Sequence, residues 1–114
     1  MEIVEYLKVM VEKNASDLYL TVASPPVYRI EGAMQPIGDH IFTAEELEKL
    51  AEVTMNEKQW NEFSHRNEMD LSLVLSVPRL SRFRVNILRQ RGSAALVIRR
   101  IKYEIKTLDQ LGLP

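Results

Sequence analysis

From Met69 to Val77 the sequence MDLSLVLSV sets an apolar residue at every odd position and a polar one at every even position except Val74. A half-buried β-strand uses that period of two, because successive side chains leave a strand on opposite faces. Pro78 begins a turn, and a second alternating run follows. Phe83, Val85 and Ile87 share one of its faces, and Arg82, Arg84 and Asn86 share the other. Ile87-Leu88 breaks the alternation and shifts Arg89 and Arg91 to the opposite parity, which predicts a bulge or the strand's end. Gly92-Ser93 predicts another turn, and Ala94–Ile101 is a nearly continuous apolar strand that should lie centrally. Strands joined by turns this short belong to an antiparallel sheet.

The first half supplies the layer that covers this sheet. Ile3, Val4, Leu7, Met10 and Val11 recur at helical spacing, so residues 2–13 should form an amphipathic helix closed by Asn14. Residues 17–23 alternate as a strand, with Leu18, Leu20 and Val22 opposite Asp17, Tyr19 and Thr21. Ser24-Pro25-Pro26 ends it. Short strands at 27–31 and 34–37 flank a tight turn at Gly32-Ala33, and Pro36 marks the second as an edge. Thr43-Ala-Glu-Glu46 and Asn56-Glu-Lys-Gln59 are capping boxes that start helices near 44 and 57, with Phe42/Leu47 and Met55/Trp60 as staples. Thr107-Leu-Asp-Gln110 is a third capping box. The order α-β-β-β-α-α-β-β-β predicts one α+β domain over 1–114, an antiparallel sheet with helices packed on one face. The sequence stops at Gly112-Leu-Pro114, which reads as a cut at a domain boundary.

Charge divides the chain. Residues 1–78 hold six basic and fourteen acidic side chains, and residues 79–114 hold nine basic and two acidic. Seven of those nine are arginines between 79 and 101, on strands that fix them on a surface suited to anions. Cysteine is absent, so disulfides and thiolate metal sites are excluded, and a reducing, cytoplasmic location is expected. No apolar run is long enough to span a bilayer.

The glycines, at 32, 38, 92 and 112, form neither a G-x-x-x-x-G-K-[ST] loop nor a G-x-G-x-x-G turn. His40 and His65 have no second ligand at helical spacing, so no metal site is expected. Ser64-His65 are helix neighbours that do not face each other, so no catalytic residue is expected either. Phe83 has core parity, opposite to Arg82 and Arg84, which leaves the cations without the stacking platform of a single-strand nucleic-acid binder. Arg84 and Arg99 sit fifteen residues apart on consecutive strands, a spacing that can bring two guanidiniums together to grip a polyphosphate. From spacing alone, pairing of each arginine with a surface carboxylate is the commoner arrangement, because exposed ion pairs are common.

Five stretches occur in one order: Ser16-Asp17-Leu18-Tyr19-Leu20; Pro25-Pro26 with Arg29 and Gly32; Arg82-Phe83-Arg84-Val85-Asn86; Val97-Ile98-Arg99-Arg100-Ile101; and Thr107 to Pro114. Together they resemble the N-terminal domain of the type IV pilus retraction ATPases, the PilT/PilU group of the type II/IV secretion ATPase superfamily. Tyr19 and the Arg99-Arg100 pair lean toward the PilU-like branch. Leu80-Ser81 departs from the family, where a glycine often precedes the R-F-R-V arginine. The resemblance implies a PAS-like N-terminal domain, followed after Pro114 by a RecA-like ATPase domain that binds ATP and magnesium. It implies a ring of six subunits in which this domain packs on RecA-like domains and sends arginines to the ATP phosphates. By motif match these are Arg84 and Arg99. Arg82, Arg89, Arg91 and Arg100 are weaker phosphate candidates, or serve the ring interface or salt bridges. On this reading the chain alone hydrolyses nothing and carries no cofactor. It acts in the cytoplasm, meets the inner-membrane pilus platform indirectly, and binds no nucleic acid. The alternative is a free-standing PAS-like sensory or protein-interaction module.

Overall fold

The computed structural model describes residues 3–66, 69–90 and 93–101. Along the chain run α1 (Ile3–Glu12), β1 (Asp17–Leu20), β2 (Val27–Ile30), β3 (Ala33–Pro36), α2 (Ala44–Thr54), α3 (Glu57–Ser64), β4 (Met69–Val77), β5 (Ser81–Gln90) and β6 (Ser93–Ile101). The fold is α+β, with the strands in one open antiparallel sheet of order β3-β2-β1-β6-β5-β4. The apolar strand β6 lies between β1 and β5, and the Pro36 strand lies at the edge. The third capping box and Arg91 fall outside the described residues.

Both described capping boxes form. Thr43 and Glu46 exchange side-chain-to-backbone hydrogen bonds at the start of α2, and Asn56 and Gln59 do so at α3. Asn14 closes α1 with φ 52°. The β2–β3 turn is one residue earlier than its sequence suggests. Ile30 pairs with Ala33, and Glu31 (φ 51°) and Gly32 (φ 80°) both take the left-handed region that a two-residue hairpin requires. The first strand ends at Leu20 rather than residue 23. Beyond Leu20 the chain leaves the sheet: Ala23 turns left-handed (φ 61°) and its N–H donates to the Phe42 carbonyl at 2.8 Å.

All three helices cover one face of the sheet. Leu18 and Leu20 of β1, Tyr28 of β2, Phe83, Val85 and Ile87 of β5, and Leu96 and Ile98 of β6 are buried there. They pack with Leu7 and Met10 of α1, Leu47 and Ala51 of α2, and Phe63 of α3. Each large apolar side chain so buried contributes ~1.5–3 kcal/mol. The Tyr28 hydroxyl keeps a partner in this core by donating to the Tyr6 carbonyl at 3.1 Å, and burial, with Tyr6 second, raises its pKa.

The expected bulge at Ile87-Leu88 is absent. β5 pairs with β4 from Ser81 to Arg89 and with β6 from Arg82 to Gln90, without interruption. Leu88 is an apolar side chain on the solvent face, over a shallow hollow lined by Val22 and Ala95. Arg89 is a cation on the core face. The strand keeps its period, and the residue types exchange sides.

Candidate functional site

On the helix-free face the register lines up Arg29 of β2, Asp17 of β1, Arg99 of β6 and Arg84 of β5 as direct neighbours. Adjacent strands lie ~4.8 Å apart, so these groups form one row across the sheet. Alternation puts them there: each has the parity opposite to a buried neighbour, Leu18, Ile98 or Val85.

Asp17 organises the row. It is only 6% exposed, held between two arginines. Its Oδ1 accepts from Arg99 Nε at 3.0 Å, and its Oδ2 lies 3.4 Å from Arg29 Nε and accepts from Ser16 Oγ at 2.7 Å. Arg29 also donates from Nη2 to the Tyr19 hydroxyl at 3.4 Å. That bond, with Asp17 adding a smaller part, raises the Arg29 pKa above its ordinary value.

Arg99 and Arg84 are Cα partners, and both are exposed. Arg99 is engaged through Nε alone among the described residues, and its side chain is 72% exposed, so both terminal amino groups face solvent. Arg84 makes no hydrogen bond or ion pair among the described residues, and neither does Arg82, two positions away on the same face. The row therefore holds one carboxylate against three guanidiniums, with Arg82 a fourth. Adjacent planar forks that keep their charge at any working pH can take the non-bridging oxygens of a polyphosphate.

The remaining arginines separate by face. Arg89 is 7% exposed on the core side, its guanidinium carbon 4.2 Å from the Phe63 ring centroid. Its Nε donates to the Phe63 carbonyl at 3.1 Å and its Nη2 to Glu48 Oε2 at 2.8 Å. Glu48 Oε1 lies 2.6 Å from Nη1 as a charge contact rather than an aligned hydrogen bond. Arg89 thus makes the salt bridge that was one of its expected roles, and its position shuts it off from the open face. Arg100 faces the helix side of the sheet, beyond the core, where its Nε donates to Ser81 Oγ at 3.2 Å. Among the described residues, no three His, Asp or Glu side chains gather as a metal site requires. No described helix is long and apolar enough to cross a membrane.

Spacing brought Arg84 and Arg99 together but did not show Asp17, Arg29 and Tyr19 joining them. The one hint was Asp17 itself, an acid on the polar face of a strand whose other positions are uncharged.

No protein-family model matches the chain. Curated relatives do. Over its whole length the chain is 34% identical to the type IV pilus ATPase PilU of Pseudomonas aeruginosa. It is also 34% identical, over 113 residues, to the type IV pilus retraction ATPase PilT of the same organism. It spans 29% of the first and 32% of the second, about a third of each. A crystal structure of the pilus retraction motor PilT with bound ADP superposes on all of the chain with a TM-score of 0.79 and 36% identity, using 33% of that protein. The chain is homologous to the PilU and PilT ATPases and corresponds to their N-terminal region.

Proposed function

We propose that this chain is the N-terminal domain of a type IV pilus retraction motor, and that Arg84 and Arg99 reach the phosphates of ATP bound mainly by a RecA-like domain. The observation that carries this reading is the open-face pairing of Arg84 with Arg99. One of these guanidiniums has no partner among the described residues, and the other is held from behind by Asp17. ADP in the homologous PilT structure names the ligand class. The chain's own sequence has no phosphate-binding loop, so the loop, the magnesium ligands and the catalytic acid would come from the RecA-like domain.

In this reading six subunits form a cytoplasmic ring, each N-terminal domain packs on the RecA-like domains of its own and the adjacent subunit, and the ring meets the inner membrane through the pilus platform. A sheet-borne arginine pair stabilises charge on the transferred phosphoryl group while it contacts no metal. Closing the two domains over the nucleotide would place that pair, and opening would withdraw it, which links hydrolysis to motion. Arg82, on the same face, is a further contact or an interface residue. The sensory alternative is less favoured, since among the described residues the apolar side chains of helices and sheet pack on one another in one cluster.

Steady-state ATP hydrolysis by the complete ATPase containing this domain tests the assignment. Arg84→Ala and Arg99→Ala should each lower turnover by about 10²-fold or more, as loss of a transition-state donor does. Turnover at the parental rate in both variants would refute the phosphate role.

A further inference from the structure

The two edges of the sheet are built differently. β3 has four residues, all exposed, and ends on Pro36, a strand that discourages further pairing. β4 has nine residues in unbroken register with β5, and contains no proline, lysine or arginine. Asp70 is its single charge. Its outer edge carries no neighbouring strand among the described residues. Its core-side residues Met69, Leu71, Leu73, Leu75 and Val77 are only half-buried, whereas Phe83, Val85 and Ile87 beside them on β5 are fully buried. On the other face, Val74 is 48% exposed. A long edge strand with no bulge, proline or basic guard is a template for another strand.

The sequence of β4 also says which strand suits it. Laid antiparallel on a second copy about Leu73, it sets Leu71 against Leu75, Met69 against Val77, Ser72 against Val74 and Asp70 against Ser76. Every core-side residue meets an apolar one and no like charges oppose each other, which is what a stable cross-strand register requires. A slip by one residue would turn the apolar row toward the wrong face.

We propose that β4 is a self-association edge, at which two copies of this chain join their sheets antiparallel about a twofold axis through Leu73. The axis stands perpendicular to the sheet, so both helical layers lie on the same side and the two half-buried apolar rows become neighbours. The contact is isologous and closes at two copies. It depends on nothing in the nucleotide reading.

Sedimentation equilibrium of the 114-residue chain over a range of concentrations tests it. The mass should rise with concentration from 13.2 kDa toward twice that value. Leu73→Lys and Leu73→Glu should each stay monomeric, because like charges then face each other across the axis, and an equimolar mixture should restore the dimer. If circular dichroism shows that a Leu73 variant has lost its fold, Val74→Lys and Val74→Glu repeat the test from the solvent face, where the two copies of residue 74 lie diagonally opposed. A parent chain that stays monomeric throughout overturns the proposal. So does a dimer that survives Leu73→Lys or Val74→Lys, or a mixture of opposite charges that fails to reassociate.

Discussion

Arg84 and Arg89 stand five residues apart on β5 and occupy opposite environments. Arg89, on the core face, has its charge met by Glu48, an Nε–H taken by the Phe63 carbonyl and its guanidinium laid over the Phe63 ring. Arg84, on the open face, stands beside Arg99 with no partner among the described residues. Two cations of opposite strand parity are thereby divided between one that the fold engages and one that it leaves open to solvent. A charge inside a fold must be answered by the fold. An array of like charges left in water can be answered by a ligand.

Removing each arginine in turn separates the two environments. Arg89→Ala leaves the Phe63 carbonyl without its donor and the one-third-exposed Glu48 without its ion pair, and should cost about 2 kcal/mol of stability by urea denaturation, below the scale of a fully buried broken pair because water reaches Glu48. The double variant Arg89→Met/Glu48→Leu should recover most of that loss, because a buried pair is often replaceable by apolar groups of similar volume. If the double variant is as unstable as Arg89→Ala, packing around Phe63 rather than the charge pair is what the site supplies.

Asp17 tests the boundary between the two kinds of site, being a buried carboxylate whose partners are exposed. Asp17→Ala should cost about 1 kcal/mol, less than Arg89→Ala, since Arg29 and Arg99 can turn to water when their acceptor is lost. Arg84→Ala should change stability by no more than about 0.5 kcal/mol, the range for a surface substitution. A larger loss would mean that Arg84 has a structural partner after all.

The smallest effect concerns Glu46, at the exposed start of α2. The Thr43 backbone N–H, first, and then the nearby His40, lower its pKa below the ordinary 4.5. A lowered carboxylate pKa contributes stability that is present above 4.5 and fades as pH falls through the lower folded-state value. Melting temperature should therefore drop slightly more steeply below that pH in the parent than in Glu46→Gln, which keeps an acceptor for the capping box. Parallel curves would show that the cap does not depend on the charge.

How much of this could be read in the sequence follows the range of each interaction. Capping boxes, hairpin turns and strand parity act within a few residues, and the element order, both described caps, the central place of β6 and the opposition of Arg84 and Arg99 all followed from them. Arg89 did not follow. An arginine at a core position reads as a break in the strand until Glu48, forty-one residues upstream, is seen beside it. Asp17 was legible as a polar-face residue, but its bond to Arg99 spans eighty-two residues and needs the β1–β6 register to exist first. Short-range patterns placed the arginines on the sheet. Long-range pairing decided which of them are occupied.

If Arg84 meets a ligand while Arg89 meets the protein, the decisive quantity is ATP turnover per folded molecule of the complete ATPase carrying Arg84→Ala, with its melting temperature taken on the same sample. Turnover should fall by about two orders of magnitude, as for a lost phosphate donor, with the melting temperature unchanged. Parental turnover, or a fall in turnover that merely tracks a lowered melting temperature, would contradict it.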